Sequence, residues 1–328
     1  MTDRLDLLRQ WTRSQFDQPA VELVPASSDA SFRRYFRIRH GDDSFILMDA
    51  PPEQEDCRPF IHVSRLMLQL GLHVPEVIAS DLEQGFLLLS DLGSQSYLDA
   101  LDDTTADRLY GDAMGALLAL QSCVTPDCGL PDYDLDLLMS EMGLFRDWLL
   151  DRHLGIKLDS TRAATLEVCF RRLADSALAQ PQVCVHRDYH SRNLMVCDKH
   201  NPGILDFQDA VIGPVTYDLV SLLRDCYISW PRERIEDWVS GYYELALQSG
   251  ILRADQCNEA DFQRGFDWMG VQRHLKAAGI FARLKHRDGK SGYLADIPRT
   301  LGYVSEVCAV YPELALVGEL AERAVEAL

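Results

Sequence analysis

The sequence predicts an α+β protein with two lobes, a small β-sheet lobe with one helix and a larger, mainly helical lobe. Short apolar runs separated by turn formers occupy residues 21–89, whereas long amphipathic patterns dominate from Tyr97 onward. At 328 residues the chain is long enough for two hydrophobic cores, because single cores stop growing at about 250–300 residues. These observations predict two lobes that differ in secondary structure.

The first lobe is expected to span residues 1–89. It opens with a helix in which Leu5, Leu8 and Trp11 lie on one face. A small sheet with one helix follows, in the order β-β-β-α-β-β. The predicted strands are residues 21–24, 34–39, 44–48, 76–80 and 86–89, and the predicted helix is residues 58–70.

The second lobe is expected to span residues 94–328, after a hinge at residues 90–93 where an apolar run ends in Ser-Asp-Leu-Gly. Two short strands near Leu194 and Ile204 interrupt an otherwise helical pattern. The predicted long helices are residues 104–123, 135–153 and 160–180.

Composition and charge narrow the class of protein. No apolar run approaches the roughly 20 residues that span a bilayer, and the N-terminal segment lacks an apolar signal sequence. The nine cysteines are scattered without any Cys-x-x-Cys spacing, as is typical of reduced thiols. A formal charge of −19 would repel nucleic acid. We expect a cytoplasmic protein that binds neither membranes nor nucleic acids, and no pattern indicates an obligate protein partner.

The strongest chemical pattern is His186-x-Asp188 followed by Asn193 and, later, Asp206. Asn193 precedes one apolar run and Asp206 ends another, with turn formers at residues 198–203 between them. Antiparallel pairing of the two runs would bring Asn193 beside Asp206. Two hard oxygen ligands suit Mg²⁺, whose remaining ligands would be nucleotide phosphates. Asp188 could then accept a hydroxyl proton during phosphoryl transfer; the competing interpretation is that all three residues are loop caps and turn formers.

These residues resemble the aminoglycoside phosphotransferase-like branch of the protein-kinase fold. The resemblance rests on His186-Arg187-Asp188 to Asn193, on Asp206-Phe207-Gln208-Asp209 and on Gly213-Pro214-x-x-Tyr217-Asp218-Leu219. It implies a protein-kinase-like bilobal fold, with Asp188 as catalytic base, Asn193 and Asp206 as Mg²⁺ ligands and ATP held between the lobes. We expect the adenine to hydrogen-bond the backbone at Ser90 and Leu92.

Only six residues separate Asp206 from Gly213, which leaves no room for the activation loop of protein kinases. A kinase without this peptide-binding platform is better suited to a small hydroxyl-bearing acceptor. Arg187, which pairs with a loop phosphate in protein kinases, is therefore expected to have a structural role.

The small lobe departs from the kinase pattern at the phosphate-binding groups. The first hairpin has no Gly-x-Gly-x-x-Gly, but Ser28 and Ser31 could donate to phosphate oxygens. The third strand has no lysine. Our hypothesis is that Arg33 or Arg34 supplies the missing charge, because a guanidinium can grip two phosphate oxygens; the alternative is an exposed strand arginine.

Longer strings resemble one bacterial subfamily that contains the anomeric kinases of N-acetylmuramate and N-acetylglucosamine, which act in cell-wall recycling. They are residues 28–37, residues 48–53 and residues 272–284. The resemblance implies an amino-sugar acceptor whose anomeric hydroxyl faces Asp188. Fold does not decide substrate, so an aminoglycoside, choline or another small alcohol stays an alternative acceptor, and a silent nucleotide-binding module is the alternative from another class.

Candidate acceptor-binding residues are chosen by charge and by aromatic character. A carboxylate on the acceptor would need local positive charge, as on the Arg273-His274-x-Lys276 helix, and aromatic rings could stack on a sugar. The competing interpretations are a cationic helix face paired with nearby acids, and aromatic side chains that fill the core. The candidates are His190, Asp209, Tyr227, Trp230, Arg273 and Lys276.

Overall fold

The computed structural model describes residues 3–16, 22–28, 32–122 and 128–328, with only the backbone of residues 27 and 28. The chain divides into two compact units. The first unit is Met1–Ala100 together with Asn193–Asp209, and the second is Leu101–Arg192 together with Ala210–Leu328. The sequence-based boundary at residues 90–93 assigned 193–209 to the second lobe, whereas this segment packs within the first unit.

The first unit is built on one antiparallel sheet of five strands in the order β1-β2-β3-β5-β4. Its strands are β1 (Val24–Ser28), β2 (Arg34–His40), β3 (Asp43–Asp49), β4 (Val77–Asp81) and β5 (Phe86–Ser90). Four of them coincide closely with the predicted strands. The first begins at Val24, where the prediction ended, and residue 21 lies outside the described residues.

Two helices accompany this sheet. Helix α1 (Arg4–Phe16) buries Leu8 against Ile38, Leu47 and Phe86 of the sheet, as its apolar face predicted. Helix α2 (Arg58–Gln69) buries Phe60, Val63 and Met67, which confirms the predicted helix at residues 58–70. The short helix α3 (Tyr97–Ala100) completes this part of the unit.

The segment Asn193–Asp209 contributes a two-stranded hairpin to the first unit. Strand β7 (Leu194–Met195) pairs antiparallel with β8 (Gly203–Ile204), which confirms the predicted hairpin. The backbone of this hairpin is tied to the remainder of the unit, because the Ile204 N–H donates to the His73 carbonyl at 2.8 Å and Val196 N–H to the Gln95 carbonyl at 2.8 Å.

The second unit is mainly helical, and it contains one antiparallel strand pair, β6 (Gln182–Val185) with β9 (Val211–Pro214). Its α-helices are α4 (Ala106–Gln121), α5 (Leu135–Leu144), α6 (Ser160–Leu178), α7 (Tyr217–Leu223), α8 (Arg232–Gln248), α9 (Glu259–Asp288), α10 (Ile297–Val310) and α11 (Ala315–Ala327). The predicted helix at residues 135–153 is α5 followed by a π-helical segment, Phe145–His153. No helix of the described ranges has the length and apolar character needed to cross a membrane.

Helix α9 is the central element of the second unit. It has 30 residues, begins after Asn258, whose side chain accepts from the Asp261 N–H, and ends at Gly289 in the left-handed conformation. A Cβ atom at Gly279 would overlap the backbone of Leu144 and Phe145. Glycine at this position therefore lets α9 approach the junction between α5 and the π-helical segment.

Candidate active site

Residues 186–192 form a loop directly after β6, and a buried carboxylate holds its backbone. The Asp218 side chain, from α7, accepts from the His186 N–H at 2.6 Å and from the Arg187 N–H at 2.9 Å. Arg187 has a φ of 77°, which costs energy for a side chain with a Cβ. Asp218 therefore compensates the strained backbone just before Asp188.

Replacement of Asp218 by asparagine should lower kcat by about 10²-fold, because an amide offers one oxygen to two N–H donors and Asp188 would shift.

Burial raises the pKa of Asp218 to about 7 from 3.8. The folded state then binds this proton more tightly than the unfolded state, so the group's stabilising contribution is present at low pH and is lost as pH rises towards 7. Unfolding free energies measured from pH 4 to 7 should lack this decline in the variant. The exposed Asp237→Asn is the matched control; equal slopes in wild type and Asp218→Asn would contradict the assignment.

Asp188 lies among positively charged neighbours in the second unit. Burial alone would raise the pKa of its carboxyl group, but Lys276 and Arg273, together with the imidazoles of His190 and His186, lower it to about 2. Asp188 is therefore ionised at neutral pH and can accept a hydrogen bond from a hydroxyl group. The carboxylate at this position can serve as a proton acceptor in transfer chemistry.

Glu141, on α5, forms ion pairs with two nearby cations. Its carboxylate pairs with Arg187 at 2.5 Å and with Lys276 at 3.0 Å, and it also accepts from the Tyr133 hydroxyl. Burial alone would raise the pKa of Glu141, but Lys276 and Arg187 lower it. Arg187 thus has an internal carboxylate partner, in agreement with the structural role expected from the short span to Gly213.

Asp225 fixes the loop on its other side. Its carboxylate accepts from the Ser191 N–H and the Tyr227 N–H, both at 2.9 Å. His190 packs edge-on against Tyr227 with ring centroids 5.3 Å apart, and burial lowers the pKa of the imidazole. His190 is consequently neutral near pH 7, and its Nδ1 atom is buried without a hydrogen-bond partner among the described residues.

The proposed metal ligands lie side by side within the first unit, as the hairpin geometry predicted. The Asn193 amide nitrogen is 3.4 Å from Asp206 Oδ2, and Gln208 Nε2 donates to Asp206 Oδ1 at 2.7 Å. Asp206 has a φ of 61°, so its backbone also adopts the left-handed conformation. This geometry places a carboxylate and an amide together, with Gln208 orienting the carboxylate.

These groups fit the coordination habits of Mg²⁺. That ion is usually bound through one or two protein oxygens, with water and phosphate as its other ligands. The described residues contain no group of three or more His, Cys, Asp or Glu side chains arranged to hold a metal. Asn193 and Asp206 would hold such an ion through one oxygen each, with the Asn193 amide turned to present its oxygen.

Strand β3 carries a buried aspartate, Asp49, and lacks the lysine that the kinase pattern places on this strand. Asp49 is fully buried, and it accepts from Arg4 Nε at 2.7 Å and from Arg34 Nε at 3.0 Å. Arg34 is thus already neutralised by a carboxylate of the same sheet. Of the two arginines considered for the missing charge, these contacts disfavour Arg34.

Arg33 has a different neighbourhood. Its Nη2 atom pairs with Glu55 Oε2 at 3.0 Å, and its side chain is only 10% exposed. Burial alone would lower the pKa of the guanidinium, but Tyr35, Glu55 and Asp206 raise it. Arg33 and Asp206 therefore share one electrostatic neighbourhood within the first unit. The Glu55 carboxylate also accepts from the Phe32 N–H at 3.3 Å, which ties down the loop before β2.

The hinge residues are fastened to the sheet through Asp91. Arg37 donates to both oxygens of Asp91 at 2.6 and 2.9 Å, and the Gly93 N–H donates to the same carboxylate at 3.0 Å. The Ser90 N–H already donates to the Glu76 carbonyl at 3.0 Å, so this N–H is not available to an adenine. Leu92 stays a proposed contact through its N–H. Of the two serines proposed for phosphate binding, Ser31 and the side chain of Ser28 lie outside the described part of the chain.

The candidate acceptor residues form two groups according to their neighbours, and the first group is Trp230 and Asp209. The Trp230 indole donates to the Tyr110 hydroxyl at 2.8 Å and packs on Trp238, so its contacts favour the core interpretation. Asp209 is exposed at the end of the first unit. The second group consists of His190, Tyr227, Arg273 and Lys276, which lie in the second unit near the loop or near the cations that surround Asp188.

Sequence reasoning overlooked five residues that position the candidate groups. All are carboxylates or amides whose partners are distant in sequence or lie in a loop, so no periodicity reveals them. Gln208 and Asp218 stood inside recognised motifs, which was the one available signal. The overlooked residues are Glu55, Glu141, Gln208, Asp218 and Asp225.

Comparison with known proteins places these features in context. A model of the phosphotransferase enzyme family matches residues 22–254. An N-acetylmuramate/N-acetylglucosamine kinase of Pseudomonas putida is 50% identical, over 97% of this chain and 95% of its own length. A kinase of the same name from Pseudomonas aeruginosa is 52% identical, over 92% of this chain and 88% of its own. The structure of a choline kinase from Streptococcus pneumoniae has a TM-score of 0.65 at 13% identity, over 94% of this chain and 100% of that chain, which confirms the predicted kinase-like α+β fold.

Proposed function

The chain belongs to the phosphotransferase enzyme family, and from that premise we propose that it transfers the γ-phosphoryl group of ATP to the anomeric hydroxyl of N-acetylmuramate and N-acetylglucosamine. The product would be the sugar 1-phosphate, formed in the cytoplasm during peptidoglycan recycling. The observation that carries the acceptor assignment is the identity of 50% over nearly the whole length of a kinase named for these two sugars.

Each unit supplies a distinct part of the chemistry. In the second unit, Asp188 accepts the hydrogen bond of the attacking hydroxyl and then its proton, while Asp218 and Glu141 hold the loop that carries Asp188. In the first unit, Asn193 and Asp206 would hold Mg²⁺, and Arg33 binds phosphate oxygens. When bound, Mg²⁺ neutralises charge on the phosphates and orients them.

The acceptor assignment is tested with purified protein, ATP, Mg²⁺ and a panel of sugars, choline and aminoglycosides. We expect ADP release that depends on N-acetylmuramate or N-acetylglucosamine and yields a product without a reducing end. The methyl glycoside of N-acetylglucosamine is the matched control, since its anomeric oxygen is blocked and it should give no ADP. ADP release only with choline or an aminoglycoside would show that this compound, and not an amino sugar, is the acceptor. No acceptor-dependent release from any compound would favour a nucleotide-binding module.

Replacement of Arg33 by alanine should raise KM for ATP by roughly 10-fold to 100-fold, because a hydrogen bond to a charged group contributes about 1.5–3 kcal/mol. Steady-state kinetics with varied ATP measure this effect. Arg39, exposed on β2, provides the control variant Arg39→Ala, for which KM should not change. A normal KM for ATP in Arg33→Ala would show that another group supplies the missing lysine charge.

A further inference from the structure

The buried cations of the second unit are not equivalent, because several of them have a carboxylate partner. Arg187 and Lys276 both pair with Glu141, and Arg224 pairs with Asp267 at 2.7 Å. Lys276 also donates to the Tyr217 hydroxyl at 3.0 Å. Each of these cations therefore has a carboxylate partner within the protein, although Arg187 Nε and Arg224 Nη1 are, like Arg273 Nε, buried without a hydrogen-bond partner among the described residues.

Arg273, on α9, differs from them. Arg273 is only 4% exposed, yet no carboxylate oxygen of the described residues lies within 4.0 Å of its guanidinium nitrogens. Its Nη1 atom reaches Cys226 Sγ at 3.6 Å, and its Nε atom is buried without a hydrogen-bond partner in the described part of the chain. A buried guanidinium with donors left over is costly unless a ligand satisfies it.

Four acidic groups interact electrostatically with Arg273, and none of them forms an ion pair with it among the described residues; they are Cys226, Tyr217, Asp188 and Asp225. Burial raises the pKa of the Cys226 thiol, so this group is uncharged at neutral pH. Asp225 is occupied by the Ser191 and Tyr227 N–H groups. Arg273 nevertheless contributes to the low pKa of Asp188, which places both residues in one electrostatic neighbourhood of the second unit. Arg273 Nε therefore lacks a hydrogen-bond partner in the same electrostatic neighbourhood as the proposed base.

A buried guanidinium preferentially binds an anion that offers two neighbouring oxygen atoms. Guanidinium binds carboxylates through two parallel hydrogen bonds, and it remains charged throughout the physiological pH range. Of the two sugars in the relatives' name, N-acetylmuramate carries a carboxylate on its lactyl ether and N-acetylglucosamine carries a hydroxyl at that position.

We propose that Arg273 binds the carboxylate of N-acetylmuramate and so sets the preference between the two acceptors. This inference rests on the proposed function. Lys276, the other candidate on α9, is excluded as the principal carboxylate ligand because Glu141 and Tyr217 already occupy it. The proposal makes Arg273 a specificity-determining residue that N-acetylglucosamine does not need.

The test is the ratio of kcat/KM for the two sugars in wild type, Arg273→Gln and Arg273→Lys. In Arg273→Gln we expect kcat/KM for N-acetylmuramate to fall on the order of 30-fold, mainly through KM, and kcat/KM for N-acetylglucosamine to change less than about threefold. Arg273→Lys keeps the charge without the paired donors, so its ratio of kcat/KM for the two sugars should lie between those of wild type and Arg273→Gln. Arg264→Gln, at an exposed position of the same helix, should leave the ratio unchanged.

The outcomes separate this inference from the proposed function. An equal loss with both sugars, carried by kcat, would show that Arg273 acts on Asp188 or on the phosphoryl group and would overturn the inference alone. An unchanged ratio in a variant with a normal thermal unfolding midpoint would overturn it as well. If Arg273→Gln fails to fold, an unchanged ratio in Arg273→Lys overturns it. Wild-type protein that phosphorylates neither sugar would refute the proposed function and the inference together.

Discussion

Replacement of Asp188 by asparagine should lower kcat by about 10²–10⁴-fold, because an amide cannot accept the proton of the attacking hydroxyl. The shape of the side chain is retained, and the nucleotide-binding groups proposed above lie in the first unit. KM for ATP should therefore stay within about threefold of the wild-type value. Single-turnover and steady-state assays with N-acetylglucosamine measure the two effects separately.

The charge state of Asp188 adds a pH criterion to this test. The cations around it hold the pKa of its carboxyl group at about 2 against the effect of burial. The base is therefore ionised at every pH at which the enzyme is assayed, and kcat/KM between pH 5 and 8 should show no acidic limb that belongs to Asp188. Wild-type turnover in Asp188→Asn would refute the mechanism. An acidic limb near pH 6 that the variant abolishes would refute the electrostatic description.

Replacement of Glu141 by glutamine should lower the free energy of unfolding by about 3–5 kcal/mol, because removal of one member of a buried ion pair leaves uncompensated charge. Glu141 neutralises Arg187 and Lys276, and all three side chains are less than one-fifth exposed. Denaturant unfolding at pH 7 measures the loss. The control is Glu319→Gln, whose exposed pair with Arg162 should contribute less than about 1 kcal/mol.

The sign of the pH dependence follows from the pKa of Glu141. Lys276 and Arg187 lower this pKa below 4.5 despite burial, so the stabilisation is present above pH 4.5 and is lost as pH falls through the folded-state value. The difference in unfolding free energy between wild type and Glu141→Gln should therefore shrink in acid. A difference that is below 1 kcal/mol at pH 7, or that grows in acid, would show that Glu141 is not the acceptor of these charges.

The sequence was sufficient for features whose determinants are local. The order of short and long apolar periodicities predicted the α+β class, and the helix at residues 58–70 agrees with α2 to one residue. The pairing of two short runs predicted that Asn193 and Asp206 would be adjacent, because a hairpin brings its ends together regardless of the remaining fold. The same reasoning placed Asp188 in the loop before the hairpin.

What only the tertiary structure decided is the partner of each charge. The sequence left open whether Arg33 or Arg34 supplies the missing charge, because it does not show which carboxylates neutralise them. In the folded chain Arg34 pairs with Asp49, while Arg33 pairs with Glu55 near Asp206. Likewise, the basic face of α9 did not reveal that Glu141 neutralises Lys276 and leaves Arg273 without a carboxylate at contact distance. Local patterns identify which groups can react, but the free energy of a buried charge depends on neighbours that only the packed chain brings together.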